Sequence, residues 1–160
     1  MATIKTKMND LIKWADQALR EQSDNPAPGC SAVLVKSKDP KGINTINESY
    51  NGSVAALGVS VAMSELLPTL AIYYQDKPNS NSKPKANRRS VLDVIARIMS
   101  KDNYHDFSEG ENNPKYPDNL FRYAIDHSND SRLKQEVIEC SIALKHVVRT
   151  YKLVKNEQST

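Results

Sequence analysis

Apolar residues recur at helical spacing along most of this chain, and one stretch, residues 48–75, organises the rest. It is the longest weakly charged run, with only Glu48 and Glu65 ionised, and it reads as two helices broken near residues 64–68. In the first, Tyr50, Val54, Leu57 and Val61 share a face, and Gly52, Ala55, Gly58 and Ala62 form an adjacent face of small residues. Small residues let a neighbouring helix approach closely, at a propensity cost of about 1 kcal/mol per glycine. The second, residues 66–74, is apolar nearly all round, which is the pattern of a buried central helix. Pro68 fits in its first turn, where the missing N–H has no partner to lose.

Other periodic segments predict helices laid over this pair. Ile4, Met8, Leu11, Ile12, Ala15, Ala18 and Leu19 mark one face of a helix over residues 3–22. Trp14 lies off that stripe, placed to pack on the core, cover a helix edge or meet another chain. Residues 87–101 predict a helix with Val91, Leu92, Ile95, Ile98 and Met99 inward. Asp118 is an N-cap for a short helix over 119–127, and Asp130 or Ser131 caps the last one. There Leu133, Val137, Cys140, Leu144, Val147, Tyr151 and Val154 recur in a stripe suited to helix packing. On another face Lys134, Lys145, Arg149 and Lys152 align as a basic ridge, about five turns long at 3.6 residues per turn. Long polar connections fall at 23–47, 76–86 and 102–118, and residues 156–160 read as a disordered tail. Within the first connection the run from Ser31 to Val35 suits a short strand or small hairpin, without establishing a sheet. The expectation is an all-α, compact single-domain bundle of about six helices with long polar loops, spanning residues 1–160.

Charge adds a partner class. Residues 77–101 carry seven bases against one acid, 102–131 carry seven acids against two bases, and 132–160 carry six bases against three acids. Two basic zones separated by an acidic loop point to a polyanionic partner. Lys83, Lys85, Arg88 and Arg89 form one cluster, and Lys145, Arg149 and Lys152 the other. Arginine offers phosphate a bidentate fork and lysine a flexible point charge. Arg88 and Arg89 also sit in a first helical turn, where the helix dipole disfavours positive charge by some tenths of a kcal/mol. Tyr73, Tyr74 and Tyr151 lie near these zones, but their places in apolar stripes favour packing over base stacking.

Catalytic chemistry finds no constellation. The chain has no phosphate-binding glycine loop, no HExxH, no GxSxG and no CxxC. His105 beside Asp106, with Glu109 and Glu111 near, makes at most a weak metal site in a solvated acidic loop. Asp126 and His127 are helix neighbours pointing about 100° apart, and Cys140 and His146 fall on different faces. Cys30 and Cys140 read as a loop thiol and a helix-core thiol in a reducing compartment. No run approaches the roughly 18 apolar residues that span a bilayer, so the expectation is a cytoplasmic protein with no membrane partner.

The order of elements resembles the small helical subunit of type III-B CRISPR effector complexes, the Cmr small subunit family. Tyr50-Asn51-Gly52, Gly58, Leu66-Leu67-Pro68-Thr69-Leu70-Ala71 and Arg149-Thr150-Tyr151-Lys152 carry the likeness. It covers most of the chain, through packing motifs, and does not extend to 23–47 or 102–119. The resemblance implies a non-catalytic subunit stacked in several copies along the guide RNA–target RNA duplex, beside the other effector subunits. It also implies basic residues gripping the nucleic-acid backbone irrespective of base sequence; no cofactor and no metal are expected from the residues themselves. A self-associating protein–protein adaptor without nucleic-acid contact is the alternative.

Overall fold

The computed structural model describes residues 4–36, 44–75, 88–101, 105–108 and 114–154. These form six helices and a small sheet: α1 (Ile4–Asp24), β1 (Leu34–Lys36), β2 (Asn44–Asn47), α2 (Glu48–Met63), α3 (Leu66–Gln75), α4 (Arg88–Ser100), α5 (Tyr116–Asp126), α6 (Ser131–Val148) and β3 (Lys152–Val154). The class is the helical bundle that the periodicity predicts. Parts of the expected connections, and the tail at 156–160, lie outside the described residues. No helix among the described residues is long and apolar enough to cross a membrane.

The centre of the bundle is α4, not the apolar segment at 66–74. Every residue from Arg89 to Met99 is buried, and α4 touches all five other helices. By contrast α3 buries Leu66, Thr69, Leu70 and Tyr73 while Ile72 stands half exposed. Apolarity at every angle shows that a helix tolerates burial; it does not say which helix the others surround. In α4 the charges of Arg89, Asp93 and Arg97 disguise the burial, because each is answered inside the protein.

Ser90, Asp93 and Arg97, spaced three and four apart, line one stripe of α4. The Ala27 N–H donates to Asp93 Oδ2 at 2.9 Å, and Arg97 Nε donates to Asp93 Oδ1 at 2.9 Å. Arg97 Nη2 donates to the Asn25 carbonyl at 2.7 Å, and the Ser31 N–H donates to Ser90 Oγ at 2.9 Å. From α1, Gln22 donates to the Ser31 carbonyl and accepts from the Val33 N–H at 2.7 and 3.0 Å. The Ser31 and Tyr50 hydroxyls share a hydrogen bond of 2.9 Å. The backbone at 25–33 is thus satisfied by side chains rather than by a ladder, as buried backbone groups must be.

The connection at 23–47 is more than a loop. Leu34 in β1 pairs antiparallel with Ile46 in β2, and Ile46 pairs parallel with Leu153 in β3. The last helix accordingly stops at Val148, short of the Tyr151 and Val154 that the periodic stripe includes. Arg149 closes it, Thr150 Oγ1 donates to the Val147 carbonyl, and the chain turns into β3. Pairing with a buried strand outweighs continued helix here; Ile46 is buried beneath the sheet. The short helix α5 also starts earlier than 119, with Pro117 in its first turn, and Asp118 lies inside it rather than capping it. Asp130 caps α6, accepting from the Arg132 N–H at 2.9 Å.

Gly58 is where α2 and α6 approach most tightly on the small-residue face: a Cβ there would lie 2.5 Å from Ser141 Oγ but 3.6 Å from Ser141 Cβ. Gly52 meets nothing within 4 Å, so it has no packing role. Gly58→Ala alone is expected to gain little, since Ser141 Oγ must abandon its 2.7 Å bond to the Ile138 carbonyl. In a Ser141→Ala background the same change is expected to stabilise by about 1 kcal/mol, measured by urea unfolding.

Burial lifts the Asp93 carboxyl above its ordinary 3.8, against the pull of Arg97 and the Ala27 N–H. The folded state then holds this proton longer than the unfolded chain does. Stability from this group is complete below pH 3.8 and is lost as pH rises through its raised value. Urea unfolding across pH should therefore show the advantage of wild type over Asp93→Asn shrinking upward through that window; an advantage that grows with pH contradicts the assignment.

Candidate nucleic-acid interface

The first basic cluster divides under inspection. Lys83 and Lys85 lie outside the described residues. Arg89 is buried: its Nε donates to the Tyr74 carbonyl at 2.6 Å and its guanidinium lies 4.2 Å from the Tyr74 ring centroid. Tyr74 in turn stacks on Phe121 at 4.9 Å, so Arg89 joins the end of α3 to α5. Gly29, at φ 81°, sits against the same guanidinium; a Cβ there would lie 3.0 Å from Arg89 Nη1. Those contacts commit Arg89 to holding the fold. Arg88, one residue earlier, is half-buried over the Tyr73 ring at 5.5 Å, and the Tyr73 hydroxyl donates to the Ser53 carbonyl of α2 at 2.7 Å.

The second cluster is shorter than a five-turn ridge. At about 100° per residue, Lys134, Lys145 and Arg149 fall within roughly 60° of one another on α6. Lys152 leaves this face, because it stands in β3 opposite Thr45, where it is exposed. Ser141, which meets Gly58, borders the basic sector, so the three bases run along the flank of α6 that adjoins α2. Lys134 reaches the C-terminal end of α2, its Nζ 3.5 Å from the Ser64 carbonyl. The acids of α6 on its other side are engaged elsewhere: Glu139 with Lys7 at 3.1 Å and Glu136 with His105 at 2.6 Å.

Beside this flank α2 presents Asn51, Ala55, Gly58 and Ala62, and no charge between Glu48 and Glu65. Gly58 is packed against Ser141 and Asn51 Oδ1 is buried, so the exposed part of this seam is narrow, with Lys134, Lys145 and Arg149 along its α6 side. Arg88 approaches the same helix from its other side, through Tyr73 and Ser53. The fold therefore places Arg88 on one side of α2 and Lys145 and Arg149 on the other, which the linear order did not reveal. Phosphate contact needs cations at the surface, and the α6 flank supplies Lys145, half-buried, and Arg149, exposed.

The tyrosines near the basic zones are already occupied. Tyr73 and Tyr74 pack as above, and the Tyr151 hydroxyl donates to Asp16 Oδ1 at 2.8 Å. Burial raises the Tyr73 and Tyr151 phenols above their ordinary value. Trp14 packs, partly buried, on the core.

Candidate catalytic groups are drawn apart. His105 bonds to Glu136 instead of to the acidic loop, while Glu109 and Glu111 lie outside the described residues. No group of three His, Cys, Asp or Glu among the described residues is placed to hold a metal ion. The ring of His127 stacks on Tyr123 at 4.0 Å, and His146 is exposed whereas Cys140 is buried. Burial, reinforced by Asp93, pushes the Cys30 thiol up to about 12, which keeps it from being a thiolate nucleophile at neutral pH.

Compared with protein-family models, curated proteins and solved structures, the chain matches none.

Arg89 and Arg149 are expected to behave oppositely when replaced. Arg89→Ala strips a buried cation–π contact and a charged hydrogen bond, and should lower the unfolding free energy by about 2–4 kcal/mol. Arg149→Ala, at an exposed helix end, should change it by less than about 1 kcal/mol, both read by urea denaturation.

Proposed function

We propose that this chain is a non-catalytic scaffold that holds a nucleic-acid backbone, a structural subunit of a type III-B CRISPR ribonucleoprotein. Several copies stack along the guide RNA–target RNA duplex, beside other effector subunits. The observation that carries the reading is the basic flank of α6, Lys134, Lys145 and Arg149 within one sector, running beside the small, uncharged residues of α2. Such a surface meets phosphates by charge and shape and offers little to distinguish bases. The resemblance carried by residues 50–71 and 149–152 supports the same assignment.

A second reading, a self-associating adaptor without nucleic acid, is favoured by one feature. The outward side of α2 leaves Val59 at 58% and Met63 at 83% exposure, an unusual amount of apolar surface for a helix without a partner.

Binding of single-stranded and duplex RNA to the full chain, followed by fluorescence anisotropy over a salt series, separates the two. For the scaffold, Lys145→Glu/Arg149→Glu should weaken RNA binding at least about ten-fold near 0.1 M salt and flatten the log–log salt slope by about two. Arg88→Glu should lower affinity similarly with the fold intact. RNA affinity that ignores all three substitutions, together with self-association abolished by Met63→Lys, supports the adaptor instead.

A further inference from the structure

A second surface, on the other flank of α6, answers a different chemistry and stands independently of the nucleic-acid reading. Here α1, α4, α5 and α6 leave a cleft of about 490 Å³, within the range of small-ligand sites. Its floor is apolar, made by Leu11, Ile98, Met99, Leu133 and Cys140, all buried. Its deeper polar groups are carboxylates: the Glu136 and Glu139 side chains are only 22% and 23% exposed, whereas Lys7 is 51% exposed. Arg132, the other base on the cleft, is also exposed. The two glutamates are thus set inside, while Lys7, Arg132 and the acid Asp130 stand at the mouth.

The His105 ring forms part of the wall, 6% exposed and stacked on Phe107 at 5.4 Å. Its Nε2 faces the Glu136 carboxylate at 2.6 Å, so that nitrogen carries the proton and donates. The Nδ1 atom is buried and has no hydrogen-bond partner among the described residues. Glu136 is met by His105, and Glu139 by Lys7 and by Gln135 Nε2 at 3.3 Å, the last two from exposed side chains, so Glu139 is the carboxylate whose partners a ligand can replace. Among the described residues Lys7, an exposed side chain from α1, is the cation that meets Glu139, and an incoming ammonium can take its place.

We propose that this cleft binds an alkylammonium ligand: a primary amine that meets Glu136 and Glu139, on an apolar chain lying over Leu133, Ile98 and Met99. Linear polyamines and simpler alkylamines share that chemistry.

The test is methyl-detected NMR titration of the full chain with hexylammonium, with hexan-1-ol as the uncharged isostere. Expected are saturable shifts at the Ile98, Met99 and Leu133 methyl groups, with the alcohol binding about ten-fold more weakly. Glu136→Gln/Glu139→Gln should weaken hexylammonium by about ten-fold or more. Lys7→Ala should tighten it, because a competing ammonium is removed; it also decides the matter should the double variant fail to fold. Spermidine binding as tightly as hexylammonium assigns the polyamine source, and weaker binding assigns the monoamine. Absent shifts, equal binding of the alcohol, or weaker binding to Lys7→Ala overturns the proposal.

Discussion

Residues 25–33 run against the buried helix α4, and a stripe of polar side chains receives the backbone groups that they turn toward it. Ser90, Asp93 and Arg97 each bond to this segment, while Gln22 and Ser23 close it from α1. Burying a carboxylate and a guanidinium is expensive, and the raised proton affinity of Asp93 shows that pairing does not fully offset the expense. What the pair supplies is position. It sets where the 25–33 segment runs, hence where β1 starts, and through β2 where α2 begins. Arg97 further lies 4.4 Å from the Tyr116 ring centroid, which ties the start of α5 to the same point.

Arg89 extends this arrangement. Its guanidinium sits against Gly29 on one side and Tyr74 on the other, so the end of α3 is registered against the segment that Asp93 holds. Two adjacent arginines at a helix start look like a paired binding device, yet they face different surroundings. Arg89 turns inward and Arg88 toward Tyr73 and α2. Neighbours on a helix diverge by about 100°, and that divergence gives the two guanidiniums different partners, Tyr74 and Tyr73.

Charge on α6 is sorted by the same geometry. Lys134, Lys145 and Arg149 border the small residues of α2, and Glu136 and Glu139 turn into a cleft floored by Leu133 and Cys140. A single helix thus stands between a basic flank beside α2 and a cleft that holds its carboxylates on the other side. The packing of Gly58 against Ser141 fixes which flank faces α2 and thereby assigns both.

Local periodicity determined a good deal on its own. The helix stripes of α1, α2 and α6, the break after Met63, the first-turn place of Pro68 and the cap at Asp130 all follow from side-chain spacing and backbone chemistry. Those properties depend on neighbours within a turn or two. The identity of the central helix, the parallel strand at Lys152–Val154 and the fates of Arg89 and His105 do not. Each depends on a partner far along the chain: Tyr74 for Arg89, Glu136 for His105, Ile46 for Leu153. The polar stripe at Ser90, Asp93 and Arg97 takes its meaning from a segment some 60 to 70 residues earlier that receives it. Tertiary packing decided these points because burial changes what a charge or an apolar residue costs, and burial is a property of the assembled helices.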